Sequence, residues 1–305
     1  MSAALLRGTD WEAARACPLA GDASTRSYRR LSLGDHRAIL MESPDDTAPF
    51  LRAARHLAGC GLSVPRILAE APDGLLLEDF GDATFAALLR RDPGAETGLY
   101  AAATDLLVDL HRHPPPEWAE AYDPAAMGHA IRPAWTHALG ADAPPSPAWC
   151  DLEADLTAHL DRHAPGADVL LHRDYHAENL IWLSDRTGVA RVGLLDFQDA
   201  LAGHRAYDLA SLLQDARRDL SPGTEERMIA RYCDQSRQDP VAFGRAYALQ
   251  AVQRHLRILG IFARLARERG RPGYLDLVPR VRGHLDRALS HPDLTALERR
   301  VRAVL

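Results

Sequence analysis

The sequence predicts an α+β chain in two parts: a small antiparallel sheet with one main helix, then a larger, mostly helical remainder. Three observations predict it. Short strand-like runs separated by turns fill the stretch before Phe80, and helical periodicity dominates after Gly81. A small island of three strand-type runs interrupts the helices between Ala167 and Phe197. At 305 residues the chain can form one large domain or two lobes with a real core.

The first strand pair is "RSYRRLSL" (Arg26–Leu33) and "RAILME" (Arg37–Glu42), joined at Gly34-Asp35, a hairpin signal. A helix follows from Pro49 to Cys60, with Thr47 near its start and Gly61 at its end. "VPRILAE" and "LLLED" flank the turn Pro72-Asp73-Gly74. The order is therefore β-β-α-β-β. "GLYAAATDLLVDLHRH" (Gly98–His113) spaces its apolar residues three and four apart, as a helix does. Two proline-rich passages, "HPPPEW" and "DAPPSP", break the helical run, and His111 and His113, just before the first, are expected to be exposed. The island comprises "ADVLLH", "NLIWL" and "ARVGLLDF", the last two separated by the turn "SDRTG". From Arg205 to Leu305 the pattern is helical again. The linker Glu78–Asp82 divides the chain into residues 1–81 and 82–305.

Hydrophobic content of 47% and charged content of 26% are ordinary for a globular protein. The net charge of −6 gives no sign of general nucleic-acid affinity. Residues 240–305 hold 13 arginines against five acids, a balance of +8, which leaves −14 on residues 1–239. The basic end suits an anionic ligand better than a polycation, or it reflects arginine-rich solvated helix faces. Cys17, Cys60, Cys150 and Cys233 are scattered with no C-x-x-C pair, so neither a zinc site nor a disulfide framework is indicated. The apolar run before Arg7 is too short for a signal-peptide core, and no segment approaches the ~20 apolar residues of a membrane span. The expected compartment is the cytoplasm, with no membrane or nucleic-acid partner. All 36 Lys+Arg residues are arginine. A Gly-Lys-Ser/Thr phosphate loop and lysine Schiff-base chemistry are thereby excluded.

The stretch "LLHRDYHAENLIWL" (Leu170–Leu183) carries the chemistry. Phosphoryl transfer needs positioning and charge neutralisation more than covalent help. An acid beside the acceptor hydroxyl takes its proton, and Asp174 fits that role. Asn179, five residues later, and Asp196, at the end of the apolar strand of "GLLDFQDA", can hold a metal bridging nucleotide phosphates. The competing reading is a metal site on alternate residues His172, Asp174 and His176, for which no further ligand motif is present. His172 alone is expected to brace the loop. Asp208 in "AYDLASLL" is either a buried or capping carboxylate near a helix start or a support for the loop.

"LLHRDYHAENLIW", "GLLDFQDA" and "YDLASLL" resemble the aminoglycoside phosphotransferase/choline kinase group, over nearly the whole chain. The resemblance implies a protein-kinase-like two-lobed fold with a sheet N-lobe and a helical C-lobe, using ATP and Mg²⁺. More narrowly, "GDASTRSYRRL", "LMESP", "GLSVPRILAE", "LLLEDFGD", "LLDFQDALAG" and "QRHLRILGIFARL" resemble the bacterial anomeric kinases for N-acetylmuramate and N-acetylglucosamine. It implies Asp174 as catalytic base and Asn179 and Asp196 as magnesium ligands. Ser24 and Thr25 would sit in the phosphate loop, and Glu78, Asp79 and Phe80 would supply backbone bonds to adenine. Asp199, Arg254 and His255 are the candidate acceptor contacts. Arg254 reads alternatively, and more simply, as a structural ion pair or a solvent-facing residue.

The general fold expects a lysine on the third strand paired with a glutamate on the next helix. Here Met41 stands in the lysine's place, and "PFLRAARHLAGC" contains no acid. Arg26 and Arg30, an even spacing apart, are candidates to neutralise the phosphates; alternatively they pair with surface acids. Glu42 is a surface residue or a partner of one of them. The expected activity is an ATP-dependent sugar kinase acting at C1, with the sugar as its small-molecule partner and a monomer favoured. The alternatives are a kinase for an aminoglycoside, choline, homoserine or methylthioribose, and a kinase-like binding protein that no longer catalyses.

Overall fold

The computed structural model describes residues 3–19, 26–138 and 145–305. In chain order the elements are α1 (Ala3–Leu6), β1 (Arg15–Pro18), β2 (Ser27–Leu33), β3 (His36–Glu42), α2 (Ala48–Gly59), β4 (Ile67–Ala71), β5 (Gly74–Glu78), α3 (Phe85–Arg91), α4 (Glu96–Leu110), α5 (Pro124–His129), α6 (Pro147–His163), β6 (Val169–Leu171), β7 (Leu180–Trp182), β8 (Val192–Leu194), β9 (Leu201–Gly203), α7 (Ala206–Leu213), α8 (Thr224–Ser236), α9 (Pro240–Glu268), α10 (Val278–Leu289) and α11 (Thr295–Arg302). They form two compact units, residues 1–93 with 178–199 and residues 94–177 with 200–305. The units follow contacts, whereas the boundary at 81/82 follows composition.

The first unit is built on an antiparallel sheet of order β1-β2-β3-β5-β4. Leu33 pairs with His36, so Gly34-Asp35 closes a two-residue turn, and Gly34 sits at φ +58°, which glycine adopts without cost. Leu31, Ala38, Leu40 and Leu76 project from one sheet face to join Leu5 in a core edged by Leu6 and Trp11. Each buried leucine contributes about 1.5–3 kcal/mol. β1 was not expected. Its four residues are all exposed, so burial leaves no apolar alternation to read. β7 and β8 pair with each other and attach here: Leu194 N donates to Ser63 O (2.8 Å) and Trp182 N to Ala83 O (2.9 Å).

The second unit is mainly helical, with β6 and β9 as an antiparallel pair. Its spine is the 29-residue α9, started by Pro240 after an Asp239 cap that accepts from Ala242 N (2.7 Å). α9 packs on α6, α7, α10 and the π-helical turn Ala134–Ala138. The three-residue β9 carried no strand signal of its own. His111 is buried and His113 half-buried, against expectation. The following prolines end the helix but do not turn it outward: the His111 ring lies edge-on to Tyr232 and shares a 2.7 Å hydrogen bond with its hydroxyl.

Candidate active site

In the second unit, β6 delivers the chain into the loop His172–Ala177. Asp208, fully buried in the first turn of α7, accepts from His172 N (2.6 Å) and Arg173 N (2.9 Å). Those bonds hold Arg173 at φ +74°, a left-handed conformation that costs a non-glycine residue roughly 1–2 kcal/mol. Two residues on, the buried Tyr175 hydroxyl donates to Ala103 O of α4 (2.8 Å), and its ring meets His172 edge-on. Asp174 is thus fixed from both sides.

The electrostatics of this loop separate two carboxyls. Burial pushes Asp174 up, but His176, Arg257, Arg254 and Arg173 together bring it below the usual carboxylate value. Burial lowers His176 to about 4, so it is neutral near pH 7 and the arginines carry the effect there. Asp174 is therefore an anion. Burial pushes Asp208 up to about 7, against the pull of its two N–H donors, with the Asp174 charge adding to the rise.

Of the expected acceptor contacts, Arg254 is buried on the same face of α9 and within electrostatic reach of Asp174 and Asp208. His255 is fully buried and donates from Nε2 to Gln214 Oε1 (2.7 Å), stacked on His284. That position is interior, and residue 255, which follows 254 on a helix, points a different way from it. Arg257, one turn beyond Arg254, was not singled out, although the helical spacing puts it beside Arg254. It lies against Tyr207, Tyr122 and Asp174.

In the first unit, Asn179 and Asp196 are neighbours through the backbone, since Leu195 N donates to Asn179 O (3.0 Å). Asp196 is exposed at φ +61° and its Oδ1 accepts from Gln198 Nε2 (2.8 Å). The intervening Phe197 is buried, 4.8 Å from Phe50 of α2. Asp199 is exposed in the turn that follows. Tyr28 on β2 feels both Arg26 and Asp196; its hydroxyl is raised by burial first, lowered by Arg26 and raised again by Asp196. Arg26 and the metal-ligand candidate Asp196 therefore flank one tyrosine.

Arg30 goes elsewhere. Its Nε meets Asp79 Oδ2 at 2.6 Å and its Nη2 meets Asp82 Oδ1 at 2.9 Å. Glu78 is held by Arg66 (3.2 Å) and Arg186 (3.0 Å), and the Arg186 guanidinium lies 5.0 Å over the Phe80 ring. Asp79 and Phe80 enter no backbone–backbone hydrogen bond among the described residues, so their main-chain groups can meet a planar base. Met41 is fully buried between Tyr28 and Leu75 in the sheet. Glu42 pairs with Arg29 (2.7 Å). Ser24 and Thr25 lie outside the described residues.

The model of the phosphotransferase enzyme family matches residues 15–249. The chain belongs to that family. An N-acetylmuramate/N-acetylglucosamine kinase of Caulobacter vibrioides is 37% identical over 97% of this chain and 93% of its own. A kinase of the same name from Pseudomonas aeruginosa is 34% identical, covering 92% of this chain and 86% of that one. Among solved structures, a choline/ethanolamine kinase family protein from Mesorhizobium loti superposes with a TM-score of 0.68 at 16% identity, over 99% and 96% of the two chains. The fold is thus the two-lobed, protein-kinase-like one of the phosphotransferase family.

That family implies a nucleotide and a divalent ion, and the donors present fit both. No cluster of three or more His, Cys, Asp or Glu side chains could hold a metal among the described residues, which removes the His172–Asp174–His176 metal site. One exposed carboxylate and one amide oxygen suit magnesium, which keeps several waters and takes its remaining ligands from phosphates. No helix among the described residues is long and apolar enough to cross a membrane.

Proposed function

We propose that this phosphotransferase is an ATP-dependent kinase for N-acetylmuramate and N-acetylglucosamine, phosphorylating the C1 hydroxyl. The observation that carries the reading is the relation to kinases of that name, at 37% and 34% identity over almost the whole chain. The alternative acceptors, aminoglycosides and choline, are cations. The environment of Asp174 disfavours them, because three arginines stand around that carboxylate.

In this reading Asp174 accepts the C1 hydroxyl proton at its carboxylate. A hemiacetal hydroxyl is more acidic than an ordinary alcohol, so an anionic carboxylate is basic enough. Asp208 and His172 keep the loop in place. Arg254 contributes to the acceptor site, and Asp199 is a further candidate contact. Asn179 and Asp196 would hold Mg²⁺, which supplies charge neutralisation on the phosphates. Main-chain groups of Glu78, Asp79 and Phe80 receive the adenine. Arg26 takes over phosphate neutralisation from the absent lysine, because Arg30 is committed to Asp79 and Asp82. Free thiols at all four cysteines accord with a cytoplasmic enzyme.

The test is ADP release with N-acetylmuramate, N-acetylglucosamine, kanamycin and choline side by side, with the phosphorylated position read by ³¹P NMR. Turnover of the two amino sugars at C1 is expected. Preference for kanamycin or choline would overturn the assignment.

A further inference from the structure

The hinge Glu78–Asp82 carries three carboxylates, and each is met by arginine. Glu78 is taken by Arg66 and Arg186. Asp79 and Asp82 share Arg30, which comes from elsewhere in the sheet. Arg30 on β2 pairs with Ile39 on β3, and Ile39 pairs with Leu77 on β5, so the side chain crosses a whole strand to reach the hinge. Its guanidinium uses both of its forks. Nη1 and Nη2 donate to Asp82 (3.0 and 2.9 Å). Nη2 also donates to Asp79 Oδ1 (3.1 Å), and Nε lies 2.6 Å from Asp79 Oδ2.

The two acids differ. The Asp82 side chain is 72% exposed, and an exposed ion pair contributes little. The Asp79 side chain is 3% exposed. A carboxylate out of water needs a cation beside it, so Arg30 is what keeps Asp79 inside. Asp79 in turn shapes the main chain. Its Oδ1 accepts from Gly81 N (2.9 Å), closing a turn around Phe80, and Gly81 sits at φ +79°, where glycine goes without cost. The Phe80 ring is anchored separately, under Arg186. That contact fixes the ring but not the direction of the neighbouring peptide groups. The main-chain groups of Asp79 and Phe80 have no main-chain partner among the described residues. Without Arg30, Asp79 would turn towards water and the turn it closes would open.

We propose that Arg30 is a positioning residue for the nucleotide base: by holding Asp79 it presents the main-chain groups of Asp79 and Phe80 to adenine in a fixed direction. The inference rests on the hinge reading above and adds the side chain that sets the hinge. It gives Arg30 a role at the base and none at the phosphates. Where only a fraction of molecules holds the competent hinge, apparent affinity falls by that fraction, so the ion pair acts on nucleotide binding without touching the nucleotide.

The experiment measures affinity for ATP, adenosine and tripolyphosphate in wild type, Arg30→Gln and Arg30→Lys by displacement of a fluorescent nucleotide, with kcat at saturating ATP beside it. Arg30→Gln should weaken ATP and adenosine by a common factor of about tenfold, because charge-assisted contacts to a buried acid are lost. Tripolyphosphate affinity and kcat should stay within about twofold of wild type. Arg30→Lys, a point charge that cannot offer two forks to two acids, should fall between. A lower melting midpoint with all three affinities unchanged would make the ion pair a brace and overturn the inference. So would all three weakened alike, or ATP and tripolyphosphate weakened with adenosine spared, which puts Arg30 at the phosphates. If Arg30→Gln does not fold, Asp79→Asn decides by the same pattern, since the isosteric amide still accepts from Gly81 N. Displacement needs no acceptor, so a failure of the amino-sugar reading leaves this result standing. If adenosine does not displace the nucleotide from wild type, the hinge reading falls and takes this inference with it.

Discussion

Asp174 and Asp208 meet at one junction of loop and helix, and their surroundings push them in opposite directions. Asp174 is held anionic by arginines, as a proton acceptor should be. Asp174→Asn should lower kcat by roughly 10²–10⁴-fold, the usual contribution of a positioned base, with ATP affinity by calorimetry within about threefold. A fully active variant would exclude the proposed mechanism. Asp208 bears on stability. Its folded pKa of about 7 lies above the ordinary 3.8, so between those values the native state holds a proton that the unfolded chain has lost. Its contribution is fully present at low pH and disappears as pH rises towards 7. Buried His111, His176, His255 and His284, with half-buried His204, have lowered values and act in the opposite sense, gaining stability as pH rises. The difference between wild type and Asp208→Asn isolates the carboxyl. Urea unfolding at pH 5 and pH 8 should show wild type losing on the order of 2 kcal/mol relative to the variant. No such relative loss would mean that Asp208 is ionised throughout. Neither carboxyl's state was legible in the sequence. The motif gives the order of Asp174 and Asn179, whereas pKa depends on Arg254 and Arg257, some eighty positions further on.

At the scale of elements, the hairpin at Gly34-Asp35, the helix after Thr47 and the strands flanking the catalytic loop were all legible, because turn chemistry and apolar runs are local signals. β1 and β9 were not, since each is only three or four residues and is specified by its partner strand. The fate of the two strand arginines was likewise hidden. Even spacing told only that Arg26 and Arg30 share a face, while Arg30 is claimed by Asp79 and Asp82, which the fold brings to β2. Gly260 on α9 illustrates the same limit. A Cβ there would come within 2.2 Å of Ala134 N and Pro133 C, which are backbone atoms that cannot swing aside. An isolated glycine in a helical run reads as a mild weakness of about 1 kcal/mol relative to alanine. Here the helix propensity gained by Gly260→Ala is outweighed by separating α9 from its neighbour. The variant should be destabilised by about 2–3 kcal/mol or more, read as a lower urea midpoint at unchanged slope. Stabilisation instead would mean that α9 and the Ala134–Ala138 turn are not in close contact.

At the scale of the whole molecule, the absence of lysine can be put to use. An arginine side chain stays protonated at any working pH and is not a nucleophile, so an acyl-phosphate analogue of ATP finds no side-chain amine on this chain to acylate. Wild type should turn over ATP yet take no nucleotide-dependent acyl label on its side chains. Against that blank background one introduced amine reports its own position. Arg26→Lys and Arg30→Lys are therefore informative as a pair. Arg26 shares Tyr28 with Asp196, and its replacement would put an amine beside the phosphates if Arg26 does the absent lysine's work. Arg30 is tied to Asp79 and Asp82, and an amine there would be held by the same acids at the hinge. Mass spectrometry should find the acyl group on the peptide containing position 26, competed by ATP, and none or far less at position 30. Labelling at position 30 in preference to position 26 would reverse the assignment and make the Arg30–Asp79 contact one that opens to nucleotide. The experiment is clean in this protein because no other lysine competes for the reagent.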